Sequence, residues 1–443
     1  MGALAVPLTA LIPDARWIAR RALLALALGA VWPLPAPAAP EAPDAALIAR
    51  GAYVARLGDC AGCHTAPMGG TPYAGGLKVN SPFGTIVSTN ITPDPVAGIG
   101  AYRYAEFVEA MRRGVRRDGA NLYPAMPYTA FAKMDEADLR ALYAFLMRGV
   151  APSDNHPPPT HLPFPFNQRW ALGIWKAAFL RSGPYRTRPD RDAVWNRGAY
   201  LVQSLGHCGA CHTPRGVAFQ ERGSDDSAPL FLTGMVNDHW FASNLTGDPG
   251  SGLGRVSEDA LVRFLKTGHG DGLVAYGSMV QTIEDSLQYV SDTDLRAIAR
   301  YLKSLPARHG SGQFRPDARL TGDSVLAGDR TQLPPAGAPV YRGFCAGCHG
   351  SRGEGVPGVF PRLAGNPSVL SDDTTSLIRL LVEGGNSPAT RHGPSRQPMP
   401  GFAARLSNAQ MAQVLTYLRN QWGNRARQIT ANDVATLREA LHK

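Results

Sequence analysis

The sequence predicts an all-α chain of three tandem small domains with long irregular loops. Three observations carry that expectation: one five-residue motif recurs three times at near-even spacing, a methionine in a turn-rich setting follows each copy, and a helix with a start signal follows each methionine. A chain of 443 residues has room for three units at roughly 100–200 residues per domain. Hydrophobic residues make up 44% and charged residues 18%, the balance of a globular protein with buried cores. The 48 glycines and 37 prolines require many turns, because both residue types interrupt helices and strands.

The amino terminus reads as an export signal over residues 1–38. Arg20 and Arg21 precede an apolar run from Ala22 to Trp32, and Ala36 and Ala38 form a small-x-small cleavage pattern. The run is far short of the ~20 apolar residues that span a bilayer. The formal charge is +10; without Arg16, Arg20, Arg21 and Asp14 of the leader it is +8. No basic run interleaved with aromatic residues accompanies that charge, so nucleic acid is not expected as a partner.

All six cysteines fall in three pentads: Cys60-Ala61-Gly62-Cys63-His64, Cys208-Gly209-Ala210-Cys211-His212 and Cys345-Ala346-Gly347-Cys348-His349. Cys-x-x-Cys-His is the attachment pattern of c-type haem. Two thiols one helical turn apart add to the two vinyl groups of a porphyrin, and the next residue's imidazole reaches the iron. Zinc sites and disulfides compete for a lone motif. Three copies with no cysteine left over favour three covalently bound haems, with Cys60, Cys63, Cys208, Cys211, Cys345 and Cys348 as the attachment residues and His64, His212 and His349 as axial ligands.

An iron that only passes electrons usually keeps a sixth ligand, and a thioether raises its potential. Met126 in Leu122-Tyr123-Pro124-Ala125-Met126-Pro127-Tyr128, Met279 in Tyr276-Gly277-Ser278-Met279-Val280 and Met399 in Gln397-Pro398-Met399-Pro400-Gly401 are the candidates. Neighbouring proline or glycine disfavours helix there and predicts a sulfur presented from extended chain. Met111, Met134, Met147 and Met411 read as core filler, as do Met68 and Met235.

The repeat extends beyond these ligands. Arg50-Gly51-Ala52-Tyr53 and Arg197-Gly198-Ala199-Tyr200 precede the first two pentads at similar offsets, and Gly337-Ala338 with Tyr341 keeps a trace before the third. After the methionines, Asp135, Ser291 and Ser407 each stand before apolar residues at spacings of three and four, which predicts amphipathic closing helices. Ser407 with Gln410 forms a capping-box pattern. An opening helix, a histidine-bearing turn, a middle helix, a methionine loop and a closing helix make the small all-α fold of cytochrome c, expected over 46–155, 190–310 and 335–424. The segments Ser88-Thr89-Asn90-Ile91-Thr92 and Ala242-Ser243-Asn244-Leu245-Thr246 are either turns or loops whose Asn or Thr bonds a haem propionate. Pro157–Pro159 and the run from Gln332 to Pro335 read as linkers. A tail over 425–443 carries Val434, Leu437 and Leu441 at helical spacing, a possible membrane-surface helix. Gly353, Gly355 and Gly358 match a dinucleotide fingerprint in letters only, since they follow a pentad rather than a strand.

Leu-Tyr-Pro-Ala-Met-Pro around Met126, Cys-His-Thr-Pro-Arg at Cys211–Arg215 and Pro-Met-Pro-Gly-Phe around Met399 resemble the triheme cytochrome c subunit of membrane-bound bacterial dehydrogenases, a family that serves alcohol, gluconate and sorbitol dehydrogenases. The resemblance spans nearly the whole chain beyond the leader. It implies an electron-transfer subunit on the periplasmic side of the inner membrane, with a separate catalytic subunit of PQQ or FAD type as donor, ubiquinone or an oxidase as acceptor, and attachment to the membrane surface. A free-standing periplasmic carrier or a haem enzyme such as a peroxidase is the alternative. Peroxidase chemistry needs an open iron position, which three candidate methionines argue against.

Overall fold

A computed structural model describes residues 45–181, 183–310, 312–316 and 335–442. The expected export signal and most of the Gln332–Pro335 run lie outside the described residues. The described chain is mainly helical, and one arrangement occurs three times. In the first part, α1 (Ala45–Leu57) leads to a one-turn helix Cys60–Cys63, then α2 (Tyr104–Arg113) and α3 (Glu136–Arg148). After α4 (Ala171–Phe179) come α5 (Ala193–Tyr200), extended by a π turn over Leu201–Leu205, then the one-turn helix Gly209–His212, α6 (Glu258–Thr267), α7 (Ser278–Asp285) and α8 (Asp292–Lys303). The last part holds α9 (Gly337–Phe344), the turn Ala346–His349, α10 (Thr375–Glu383), α11 (Asn408–Leu418) and α12 (Ala431–Leu441).

The three closing helices start where their sequences indicate. Asp135, Ser291 and Ser407 occupy the N-cap, each accepting from the backbone N–H three residues on, and Ser407 with Gln410 completes the capping box. Each opening helix lies on its closing helix, α1 on α3, α5 on α8 and α9 on α11. The contact is made by glycine. A Cβ on Gly51 would lie 1.9 Å from the Ala141 carbonyl oxygen, one on Gly198 1.9 Å from that of Ala297, and one on Gly337 2.2 Å from that of Gln413. The helix pairs therefore cross backbone against backbone, which accounts for the repeated glycine before each pentad.

The first two parts share one continuous core, in which Val54, Leu139 and Leu142 join Leu201, Leu205, Leu295 and Tyr301. The last part has its own core around Tyr341, Ile378, Met411, Leu415 and Trp422. The shared core is fastened by a reciprocal pair of hydrogen bonds. Tyr53 donates to Asp294 Oδ2 at 2.7 Å, and Tyr200 donates to Asp138 Oδ2 at 2.8 Å. Each aspartate also pairs with the arginine of its own repeat, Asp138 with Arg50 at 2.9 Å and Asp294 with Arg197 at 2.8 Å. The Arg-Gly-Ala-Tyr strings thus supply an arginine to their own closing helix, a glycine to the crossing and a tyrosine to the neighbouring repeat.

Several expectations need correction. The chain is not purely helical: antiparallel two-stranded pairs occur, including Lys78–Ser81 with Gly84–Val87 and Gly384–Asn386 with Pro398–Pro400. They are too short to form a layer and serve to shape loops. The tail helix α12 forms, but Val434 is 0% exposed and Leu437 and Leu441 lie against the last core. Part of its apolar face is therefore held by protein. Met68 is fully exposed rather than core filler, because it sits in a turn with φ of 60°. Met111, Met134 and Met411 are buried as expected. Gly353, Gly355 and Gly358 all have φ near 70° in a turn after the third pentad, a loop as read.

Candidate haem-binding sites

The three pentads fold alike. In each, the histidine ends a single helical turn, and its ring Nδ1 faces a backbone carbonyl brought from a later loop: His64 with Thr89 O at 2.6 Å, His212 with Ser243 O at 2.7 Å and His349 with Pro361 O at 2.9 Å. A carbonyl only accepts, so Nδ1 carries the proton and Nε2 is left with its lone pair. Burial pulls all three imidazoles below their ordinary pKa, and the carbonyl only partly opposes it. The neutral, Nδ1-protonated form is the one that ligates iron. The histidine's own carbonyl is also fixed, accepting from Gly75, Gly234 and Gly355 at 2.7, 2.8 and 2.8 Å. Gly75, at φ 74°, passes so near the carbonyl loop that a Cβ would lie 2.5 Å from the Thr89 carbonyl carbon.

The carbonyl donors Thr89 and Ser243 stand in the two repeated segments, one residue before Asn90 and Asn244. Those asparagines do not reach toward a propionate. Asn90 Oδ1 accepts from Thr92 N and Oγ1, and its Nδ2 donates to Ser153 O and Asn155 O. Asn244 repeats the pattern with Thr246 and Arg308 O. Both are buried and bonded to the protein's own backbone, so the segments are turns whose work is to aim the preceding carbonyl at the histidine. The repetition of the segment signalled a role, but a main-chain acceptor leaves no side-chain type to read. In the last part Pro361 does the same with no such segment around it.

None of the six cysteines is joined in a disulfide, and the first of each pair is half-buried and the second exposed. Burial pushes Cys60 and Cys208 up to about 12 and Cys345 up to about 11, with Asp59 adding to the effect at Cys60. Such thiols resist the thiolate form that zinc requires. Among the described residues no three His, Cys, Asp or Glu side chains converge on a point that could hold a metal ion. Haem asks for the opposite arrangement, two sulfurs and an imidazole directed at different atoms of one large planar group. A buried polar atom agrees with that demand: Tyr128, two residues after Met126, is wholly buried and its hydroxyl has no partner in the protein. The donor set fits haem.

Met126 lies in a turn outside any helix, its N–H donating to Tyr123 O, and it rests against the same core as Cys60. Met399 lies in extended chain opposite Gly385 and shares the last core with Cys345. Met279 differs from expectation. It occupies the first turn of α7, directly after Gly277 at φ 58°, so its sulfur is presented by a helix and not by extended chain. Without flanking prolines nothing stops that turn from winding.

The sites neighbour one another. Cys211 lies close enough to Cys63 to add to the elevation of its thiol pKa. His207, next to the second pentad, bonds Gly58 O, next to the first, at 3.2 Å. Helix α7 packs on the turn Cys60–Cys63, bears Met279, and through Glu284 pairs with Arg396, three residues before Met399, at 2.6 Å. One short helix thus touches the surroundings of all three candidate sites.

Comparison with known proteins agrees with this picture. The Cytochrome c family model matches residues 48–149 and 335–422. The chain is 47% identical to the cytochrome c subunit of a quinone alcohol dehydrogenase from Gluconacetobacter polyoxogenes over 401 residues, 89% of this chain and 85% of that protein. It is 44% identical to the gluconate 2-dehydrogenase cytochrome c subunit of Pantoea cypripedii over 425 residues, 95% of both chains. It is 38% identical to the fructose dehydrogenase cytochrome subunit of Gluconobacter japonicus over 423 residues, 91% of this chain and 84% of that one.

Proposed function

Because the chain belongs to the cytochrome c subunits of bacterial dehydrogenase complexes, we propose that it carries one haem in each of three tandem cytochrome c domains, over 46–155, 190–310 and 335–424, and relays electrons from a catalytic subunit to a quinone. The observation that carries the reading is the threefold recurrence of an Nδ1-anchored histidine beside a paired-cysteine turn. Cys60 with Cys63, Cys208 with Cys211, and Cys345 with Cys348 would form the thioethers. His64, His212 and His349 would each supply an imidazole nitrogen to the iron, and Met126, Met279 and Met399 a thioether sulfur.

Bound haem supplies a one-electron couple whose potential the ligands and surroundings set. The protein's residues do the rest by position. Thr89, Ser243 and Pro361 hold each imidazole in one orientation and tautomer, so little rearrangement accompanies a change of charge. The methionines supply a soft ligand that favours the reduced state. The nearness of Cys211 to Cys63 and the packing of α7 on the turn Cys60–Cys63 and its ion pair with Arg396 keep the three sites close, as a relay requires. No group need act as acid, base or nucleophile in this chain, and oxidation of an alcohol or sugar acid would belong to the partner subunit. Three candidate methionine ligands, one for each site, disfavour the peroxidase alternative. Export, a periplasmic location and contact with the membrane surface complete the reading; among the described residues no helix is long and apolar enough to cross a membrane.

Haem stoichiometry tests it. The purified exported protein should carry three haems per chain in a pyridine haemochrome assay, and Cys60→Ala/Cys63→Ala, Cys208→Ala/Cys211→Ala and Cys345→Ala/Cys348→Ala should each lower the count by one. Two haems in the unaltered protein would refute the threefold assignment.

A further inference from the structure

The strand that bears Met399 is weakly held by its own hairpin. Pro398 and Pro400 on either side of it have no N–H to give, so of the three residues paired with Gly384–Asn386 only Met399 can donate to the partner strand. A two-stranded hairpin is marginal by itself even when its ladder is complete. One further step is added where Ser387 N donates to Gln397 O at 2.9 Å and Gln397 N to Ser387 Oγ at 2.8 Å. Beyond it the two strands are joined by a loop over residues 388–396.

That loop is fastened to the second repeat. Glu284, near the end of α7, accepts at one carboxylate oxygen from Ala389 N and from Arg396 Nη2, both at 2.6 Å, so a single side chain ties together the two ends of the loop. Between them Gln288 Oε1 accepts from Arg391 N at 3.1 Å, and the Arg391 guanidinium lies 4.9 Å from the centre of the Tyr289 ring. Pro388 rests on Gly268, where a Cβ would lie 2.3 Å from the proline Cγ. The Glu284 side chain is only 23% exposed, which shields its attraction to Arg396 from the screening that weakens surface ion pairs. Its bond to Ala389 is to the main chain and so sets the path of the loop itself. The same helix bears Met279 in its first turn. We infer that Glu284 is a positioning residue of the third site: by pinning the loop whose far strand presents Met399 to the helix that presents Met279, it holds the Met399 sulfur against displacement from the iron.

This inference rests on the proposal that Met399 ligates the third haem, and its test separates the two. Full-length haem-loaded protein in the ferric state is titrated with imidazole, which competes with a methionine sulfur for iron, and the shift of the main haem absorption band follows each site. Glu284→Ala should raise the imidazole affinity of one site about tenfold or more, the factor carried by a lost hydrogen bond to a charged group, and leave the other two as they are. Glu284→Gln keeps an acceptor oxygen without the charge, and its affinity should fall between. In Met399→Ala the third site should take imidazole freely, and adding Glu284→Ala to that variant should change nothing further. Asp259→Ala breaks an exposed ion pair with Arg296 elsewhere in the second repeat and should match the natural protein. Haem count and far-ultraviolet circular dichroism serve as the folding control. Three unaltered affinities in Glu284→Ala, beside a response in Met399→Ala, overturn the inference and leave Met399 as a ligand. An effect of Glu284→Ala that persists when Met399 is absent overturns it as well, because the carboxylate would then act elsewhere. No response in Met399→Ala removes the ligand and the inference together.

Discussion

Replacing Gly51 by alanine tests the backbone-on-backbone helix crossing directly. The added methyl would sit 1.9 Å from the Ala141 carbonyl oxygen, whereas ordinary contact begins at 3.4 Å, so α1 and α3 must part by about 1.5 Å, the difference of the two. Overpacking a tight site costs about 1–3 kcal/mol. Here the obstacle is main chain, with no rotamer that can yield, so the top of that range applies. Alanine in a helix interior returns about 1 kcal/mol relative to glycine, leaving a net destabilisation of about 2 kcal/mol. Gly173→Ala is the matched control: it lies in α4, and a Cβ there meets only Asn121 Nδ2 at 3.8 Å. That variant should be neutral or up to about 1 kcal/mol more stable. Urea titration of the haem-loaded protein by far-ultraviolet circular dichroism measures both. A Gly51→Ala protein as stable as the Gly173→Ala protein would refute the crossing argument.

Tyr53→Phe and Tyr200→Phe each remove a hydrogen bond to a carboxylate, and each should cost about 1.5–3 kcal/mol in the same titration; a cost of zero in both would show that the reciprocal bonds do not form. Burial pushes the Asp294 carboxyl up, but the Arg197 guanidinium and the Tyr53 hydroxyl outweigh it and hold it below the ordinary carboxylate value. Its stabilisation is then complete above the unfolded pKa of about 4 and is lost as pH falls through the lower folded value, so the stability gap between the natural protein and Asp294→Asn should be constant from pH 7 to about 5 and narrow at pH 3. A gap that is equally wide at pH 3 contradicts the assignment. Met126→Ala and Met399→Ala should each abolish the weak absorption band of one methionine–ferric iron bond while leaving three haems attached; an unaltered band in either variant excludes that methionine as ligand.

Much of this architecture was legible from residue type. The N-caps Asp135, Ser291 and Ser407 were readable because a cap needs a particular side chain, and so were the pentads, because thioether chemistry needs cysteine. Helix α4 escaped notice: it lies in a segment opened by Pro157–Pro159 and begins without a capping side chain, since Trp170 is already helical in φ and ψ. Thr89, Ser243 and Pro361 escaped as histidine partners because they act through carbonyls that any residue has. In the tail, Val434, Leu437 and Leu441 line one face of α12 as their spacing predicts, and they pack on the last core, a neighbour that spacing alone does not reveal.

The tyrosine–aspartate bonds between the first two repeats run in opposite directions across one joint. Loss of either would leave the other as a pivot, and the shared apolar core would resist opening about it. A single damaged side chain would therefore loosen the alignment of the first and second paired-cysteine turns without separating them. Two independent lesions, one in each repeat, would be needed before the halves could drift apart.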